Sequence, residues 1–141
     1  KRNIEIELNL EEKMPVIKCG SIYFQQILLN FILHAKMQIS QNGNMKIFTR
    51  KEDENWILLE FHDSGVSMPD EYVSKALDPF SDLENGSEIN LGLTVSVQMV
   101  SDLGGEVLFD TKRKKGNIIK VRIPTMKYQK KMLEEKEVSA G

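Results

Sequence analysis

From Ser21 to about Ile39 the chain is apolar nearly all round, a length that makes about five turns of helix. A helix apolar on every side must be enclosed by other layers. Ser21 sits where an N-cap belongs. One stripe breaks the pattern: Gln26, Asn30 and His34 recur at spacing four, and Met37 follows three later. Residues so spaced share one face. Amides buried there need partners, so the stripe fits two arrangements. Either it belongs to the core, capping neighbouring backbone groups, or it forms one wall of a ligand pocket.

The flanking segments supply the other layer. Asn3 to Leu8 alternates polar and apolar residues with period two, as an edge or near-edge strand would. Pro15 breaks the next segment, and Val16-Ile17-Lys18-Cys19 reads as a short second strand ending at Gly20. After a turn at Gln41-Asn42-Gly43-Asn44, Met45 to Lys51 and Asn55 to Asp63 read as a hairpin around Glu52-Asp53-Glu54. Pro69 opens a short helix to about Leu77, with Asp70 and Glu71 where the helix dipole favours acids, and Asp78-Pro79-Phe80 closes it. Ser81 to Asn90 is polar, acidic and glycine-containing, which predicts a mobile loop. Leu91 to Leu103 is an amphipathic helix stopped by Gly104-Gly105. Glu106 to Thr111 and Asn117 to Ile123 form a last hairpin across Lys112-Arg113-Lys114-Lys115, ended by Pro124. This order suits a mixed sheet covered on one face by three helices, a two-layer α/β sandwich spanning residues 1–124. The charged tail, 125–141, reads as a frayed helix or a disordered segment.

At 141 residues, 40% hydrophobic and 28% charged, the chain has apolar surface enough for a core of its own. A net charge of −2 gives no electrostatic case for nucleic acid, and the basic cluster at Lys112 reads as a solvated hairpin tip. Cys19 is the sole cysteine, which excludes an internal disulfide and a cysteine-built zinc site and fits a reducing, cytoplasmic compartment. No apolar run approaches the roughly 20 residues that span a bilayer, and no signal peptide is visible. A first residue of Lys1 rather than Met is expected of a piece excised from a longer protein.

The second hairpin strand delivers Asp63 into Ser64-Gly65-Val66-Ser67-Met68-Pro69. A carboxylate at a strand end, with glycine two residues on, suits a pocket where backbone approaches a ligand closely. The same pattern also makes an ordinary turn. His62 lies beside Asp63 in sequence but on the opposite face of a strand, which favours a structural role over a catalytic one.

Taken together, Gln26-x-x-x-Asn30-x-x-x-His34-Ala35, Asp63-x-Gly65, Asp78-Pro79-Phe80, Leu91-Gly92-Leu93 and Leu103-Gly104-Gly105 resemble the ATP-binding catalytic domain of sensor histidine kinases. That family shares the Bergerat fold with gyrase, the heat-shock chaperones and MutL, and its motifs run N box, G1, F and G2 in this order. The resemblance spans roughly Asn3 to Pro124. It implies ATP and Mg²⁺ as cofactors, an upstream dimerisation and histidine-phosphotransfer domain, a response-regulator receiver as partner, and an isolated domain that is monomeric. Full-length members of the family can be membrane-anchored. By the same resemblance Asp63 matches the aspartate that reads the adenine amino group, and Gly65 the glycine that lets backbone near the ring. Asn30 matches the first N-box position, where hydrolysing relatives place a glutamate base. Its amide favours phosphoryl transfer to a protein histidine over hydrolysis. Phe80 matches the aromatic near the lid, Gly92 a phosphate-loop glycine, and Met68, Leu91 and Leu93 complete the nucleotide-binding set.

Five positions depart from the pattern that the resemblance implies. His34 stands where the family places the asparagine whose amide oxygen holds Mg²⁺, a hard ion that prefers oxygen. It could instead bond a phosphate, or simply pack. Met37 stands for a phosphate-contacting lysine, with Lys36 adjacent as a partial substitute. Ser67 replaces the second G1 glycine and adds a side chain where the adenine pocket is tight. Glu88 and Asn90 replace lid-end glycines; Asn90 is a mild change because Asn tolerates left-handed conformations, but Glu88 brings negative charge towards the triphosphate. Three readings follow. The domain is a kinase with tolerated substitutions, a degenerate pseudokinase acting by protein contact, or a relative outside the two-component kinases, such as an anti-anti-sigma serine kinase or a MutL-type ATPase. The missing N-box carboxylate counts against the ATPase.

Overall fold

The computed structural model describes residues 3–39, 41–77, 91–110 and 115–140. The N-terminal strand β1 (Asn3–Leu10) precedes the long helix α1 (Ser21–Gln38), and β2 (Asn42–Lys51) and β3 (Trp56–Asp63) follow as a hairpin. Helix α2 (Asp70–Leu77), helix α3 (Leu91–Asp102), β4 (Glu106–Asp110), β5 (Asn117–Pro124) and a C-terminal helix α4 (Met126–Ala140) complete the order.

The five strands form one sheet in the order β1-β2-β3-β5-β4. All neighbours are antiparallel except β1 and β2, which run parallel because α1 carries the chain back between them. Alternation then sorts the strands into two faces. Met45 and Ile47, Ile57, Leu59 and Phe61, Ile119, Val121 and Ile123 are buried on the helix-covered face. Ile27, Phe31 and Ala35 of α1 and Leu93 and Val100 of α3 are fully buried in the same core, where Phe31 and Phe61 stack at 5.3 Å. The expected α/β sandwich with a mixed sheet is the observed architecture.

Two expectations need correction. Residues 16–19 form no strand: Val16 is 67% exposed, and its carbonyl accepts from the Met126 amide at the start of α4 rather than from a sheet neighbour. The N-cap of α1 is Gly20 rather than Ser21, with no side-chain cap. The tail resolves in favour of helix. Buried Thr125 anchors α4, its hydroxyl donating to the Glu54 carbonyl at 2.7 Å and accepting from the Tyr128 amide at 3.2 Å. Tyr128 then packs on Trp56 at 5.3 Å, whose ring also carries the Arg122 guanidinium at 4.3 Å. The hairpin tip at 112–114 and the loop at 81–90 lie outside the described residues.

Candidate functional site

The turn after β3 is held from three sides. The Ser64 amide donates to the Asn44 carbonyl and the Val66 amide to the Gln38 carbonyl, which ties the turn to β2 and to the end of α1. Gly65 is buried so tightly there that a Cβ would lie 2.2 Å from the Gln38 carbonyl oxygen, so only glycine fits. On the third side the Gly116 amide donates to the Gly65 carbonyl at 2.9 Å. Gly116 has φ +90°, a left-handed conformation that favours glycine.

Within this frame Asp63 is 6% exposed. Its Oδ1 accepts from the Gly65 amide at 2.9 Å and from Asn117 Nδ2 at 3.0 Å. Among the described residues no hydrogen bond reaches Oδ2. Burial pushes the Asp63 carboxyl above its ordinary range, and the Asn117 and Gly65 bonds and the nearby His62 pull against that. The result is a desolvated carboxylate with one oxygen committed and one available.

His34 occupies the other half of the candidate set, and it is fully buried. Its Nε2 lies 3.3 Å from Tyr72 Oη and 3.4 Å from Gln38 Nε2, and the ring stacks on Tyr72 at 6.0 Å. A glutamine Nε2 only donates, so with Gln38 in this orientation His34 Nε2 is the acceptor and the ring proton falls to Nδ1, which has no partner among the described residues. Burial lowers its pKa to about 4, so the ring is neutral at physiological pH. This environment does not fit Mg²⁺: the ring offers nitrogen, and its lone pair already meets two polar neighbours. Among the described residues no cluster of His, Cys, Asp or Glu could hold a metal ion.

The remaining candidates divide. Met68 and Leu93 are buried in the core beside these elements, at 4% and 0% exposure. Asn30 is half-buried and accepts from Gln26 Nε2 at 2.9 Å through Oδ1. Ser67 turns its hydroxyl to the Gly116 carbonyl at 3.3 Å. Lys36 lies elsewhere on α1, in a groove of about 560 Å³ with Ile4, Ile6, Ile32 and Met45 under β1. Two positions from His34 is more than half a helical turn, which explains the separation. Met37 is 62% exposed. Leu91 and Gly92 form the first turn of α3, and Phe80 falls outside the described residues with Glu88 and Asn90. His62 meets Glu60 Oε1 at 3.3 Å and Phe48 at 4.8 Å, on the face away from the helices. Two residues of this site escaped sequence reasoning. Tyr72 partners His34, and Asn117, opposite Asp63 in the β3–β5 register, partners the carboxylate.

A chain with this fold and this arrangement of N-box helix and G1 turn belongs to the family of histidine kinase-, DNA gyrase B- and HSP90-like ATPases, which it matches over residues 20–127. Its sequence and architecture fit the ATP-binding catalytic domain of histidine kinases. It is 24% identical over 123 residues to Sporulation kinase E of Bacillus subtilis, covering 86% of this chain and 16% of that one. Sensor histidine kinase RcsC of Escherichia coli is 26% identical over 121 residues, or 82% of this chain and 12% of its own length. This chain therefore spans less than a fifth of either protein. Among solved structures, the nucleotide-free catalytic domain of histidine kinase ThkA superposes with a TM-score of 0.73 at 22% identity, covering 87% of this chain and 79% of its own. Full-length ShkA in complex with AMPPNP gives 0.70 at 21% identity, covering 86% of this chain and 25% of its own.

Proposed function

We propose that this chain is the ATP-binding catalytic domain of a two-component sensor histidine kinase. In this reading it presents ATP for transfer of the terminal phosphoryl group to a histidine on a separate dimerisation domain, with a response-regulator receiver downstream. The observation that carries the reading is the unshared Oδ2 of buried Asp63 beside Gly65, where only backbone stands. That oxygen suits an exocyclic amine, and Met68 and Leu93 supply apolar surface for the ring. The amides that open α3 at Leu91 and Gly92 suit phosphate oxygens. Asn30 offers no base for activating water, and the acceptor imidazole needs none, which favours transfer over hydrolysis.

The phosphate end is impaired in this reading, because His34 is an enclosed, neutral ring where a metal-holding oxygen is expected. The same observation favours a second reading, a pseudokinase domain that binds nucleotide weakly or not at all and acts by protein contact. Calorimetric titration with ATP, once with magnesium and once with EDTA, separates them. Equal binding in both conditions supports an adenine pocket without a metal site. Magnesium-dependent binding overturns the impairment, and no binding in either condition establishes the scaffold reading.

A further inference from the structure

Asn117 opens β5 directly opposite Asp63, which ends β3. It is 1% exposed, and its side-chain amide makes three hydrogen bonds. Nδ2 donates to Asp63 Oδ1 at 3.0 Å and to the Val66 carbonyl at 2.8 Å, and Oδ1 accepts from the Met68 amide at 2.8 Å. The orientation of this amide is fixed by its neighbours. Turned over, it would set its oxygen against Asp63 Oδ1 and the Val66 carbonyl, two acceptors, and would leave the Met68 amide facing a donor. Such a network is costly to break when buried.

We propose that Asn117 is a positioning residue that selects the purine: by holding Asp63 Oδ1, it leaves Oδ2 as the one acceptor facing the base. The inference rests on the adenine reading of Asp63 and adds to it the group that decides how the carboxylate is presented. Gly65 donates to the same Oδ1 from the backbone, so this oxygen is met by two donors and Oδ2 by none among the described residues. An ionised carboxylate held this way accepts from the 6-amino group of adenine and repels the 6-carbonyl of hypoxanthine.

The arrangement makes an unusual demand of Asp63→Asn, which keeps the shape of the side chain. Two donors, Asn117 Nδ2 and the Gly65 amide, require an oxygen at the Oδ1 position, so the new NH₂ must take the Oδ2 position. The site then offers a donor to the base where it had offered an acceptor. Calorimetry of the 141-residue chain with ATP and with ITP (inosine triphosphate), whose bases exchange a 6-amino donor for a 6-carbonyl acceptor and an acceptor N1 for N1–H, reads the change. The unmodified chain is expected to prefer ATP. Asp63→Asn is expected to invert the preference to ITP, a swing of about tenfold or more for one exchanged hydrogen bond to a buried group. Adding Asn117→Leu to Asp63→Asn frees the amide to rotate and is expected to abolish the inversion.

If Asp63→Asn keeps the ATP preference, or weakens both nucleotides by the same factor, the amide is not held and the inference falls. Inversion that survives Asn117→Leu also overturns it, since Gly65 alone would then suffice. An unmodified chain that fails to bind ATP, or binds both equally, overturns the adenine reading and the inference with it. A purely structural role for Asn117 lowers both affinities and cannot reverse their order.

Discussion

At His34 the fold encloses an uncharged ring, and the enclosure has a pH signature. Burial holds the folded pKa near 4, against 6.5 for the free side chain. Between those values the unfolded chain takes up a proton that the folded chain refuses. The contribution is therefore complete above pH 6.5 and is lost as pH falls towards 4, on the order of 3 kcal/mol across the window. Asp63 acts in the opposite sense, since burial raises its pKa and acid favours its folded form. Comparing urea unfolding at pH 7.5 and 4.5 with that of His34→Phe isolates the histidine: the variant should lose clearly less stability, and equal losses would refute the assignment. On the nucleotide side, His34→Asn with Met37→Lys should raise Mg-ATP affinity by about tenfold in calorimetry. Unchanged affinity would show that these positions are not the limiting defect. His34 stands out in the sequence because it interrupts the apolar run of α1, and Met37 because the resemblance implies a lysine there. Asn117 does not, since its role exists only in the β3–β5 register, and the amphipathic signal of β5 is the same whether its first residue touches Asp63 or water. A lone polar residue after Gly116, at the mouth of the apolar run Ile118-Ile119, is the faint mark it leaves.

The end of α1 and the turn after β3 are fitted to each other through Gly65. Gly65→Ala must displace the Gln38 carbonyl, which lies 2.2 Å from the added carbon, whereas at Gly20 the nearest atom is 3.9 Å away. Thermal unfolding should show a loss of about 3 kcal/mol for Gly65→Ala and under about 1 kcal/mol for Gly20→Ala. Comparable losses would mean that the turn and helix can separate cheaply. Periodicity and turn chemistry made most elements legible, with ends displaced by a residue or a few, as for β2, which begins at Asn42 rather than Met45. The segment Val16 to Cys19 was misleading because its composition suits a strand while the Val16 carbonyl is taken by the start of α4 instead of the sheet. Helix α4 was ambiguous for the opposite reason. Its own sequence is weakly patterned, and much of what orders it comes from Thr125, Trp56 and Glu54, far away in the chain.

Across the whole molecule, α4 is pinned over the only tryptophan of the chain. Thr125→Val removes the hydroxyl that bonds both Glu54 and Tyr128, and should cost about 1–2 kcal/mol and shift Trp56 fluorescence to the red as the helix loosens. An unmoved emission maximum would show that the docking of α4 is independent of its cap. No helix among the described residues is long and apolar enough to cross a membrane. Asp63 and Asn117 are 54 residues apart in sequence and meet only when β3 pairs with β5. Closing so long a loop is entropically costly, and hairpins such as β2–β3 gain nothing from it. A ligand that engages this carboxylate therefore recognises only the chain whose central strands are joined. By mass action it protects the whole sheet against hydrogen exchange rather than one loop, so occupancy of a small turn would be felt as cooperativity of the entire fold.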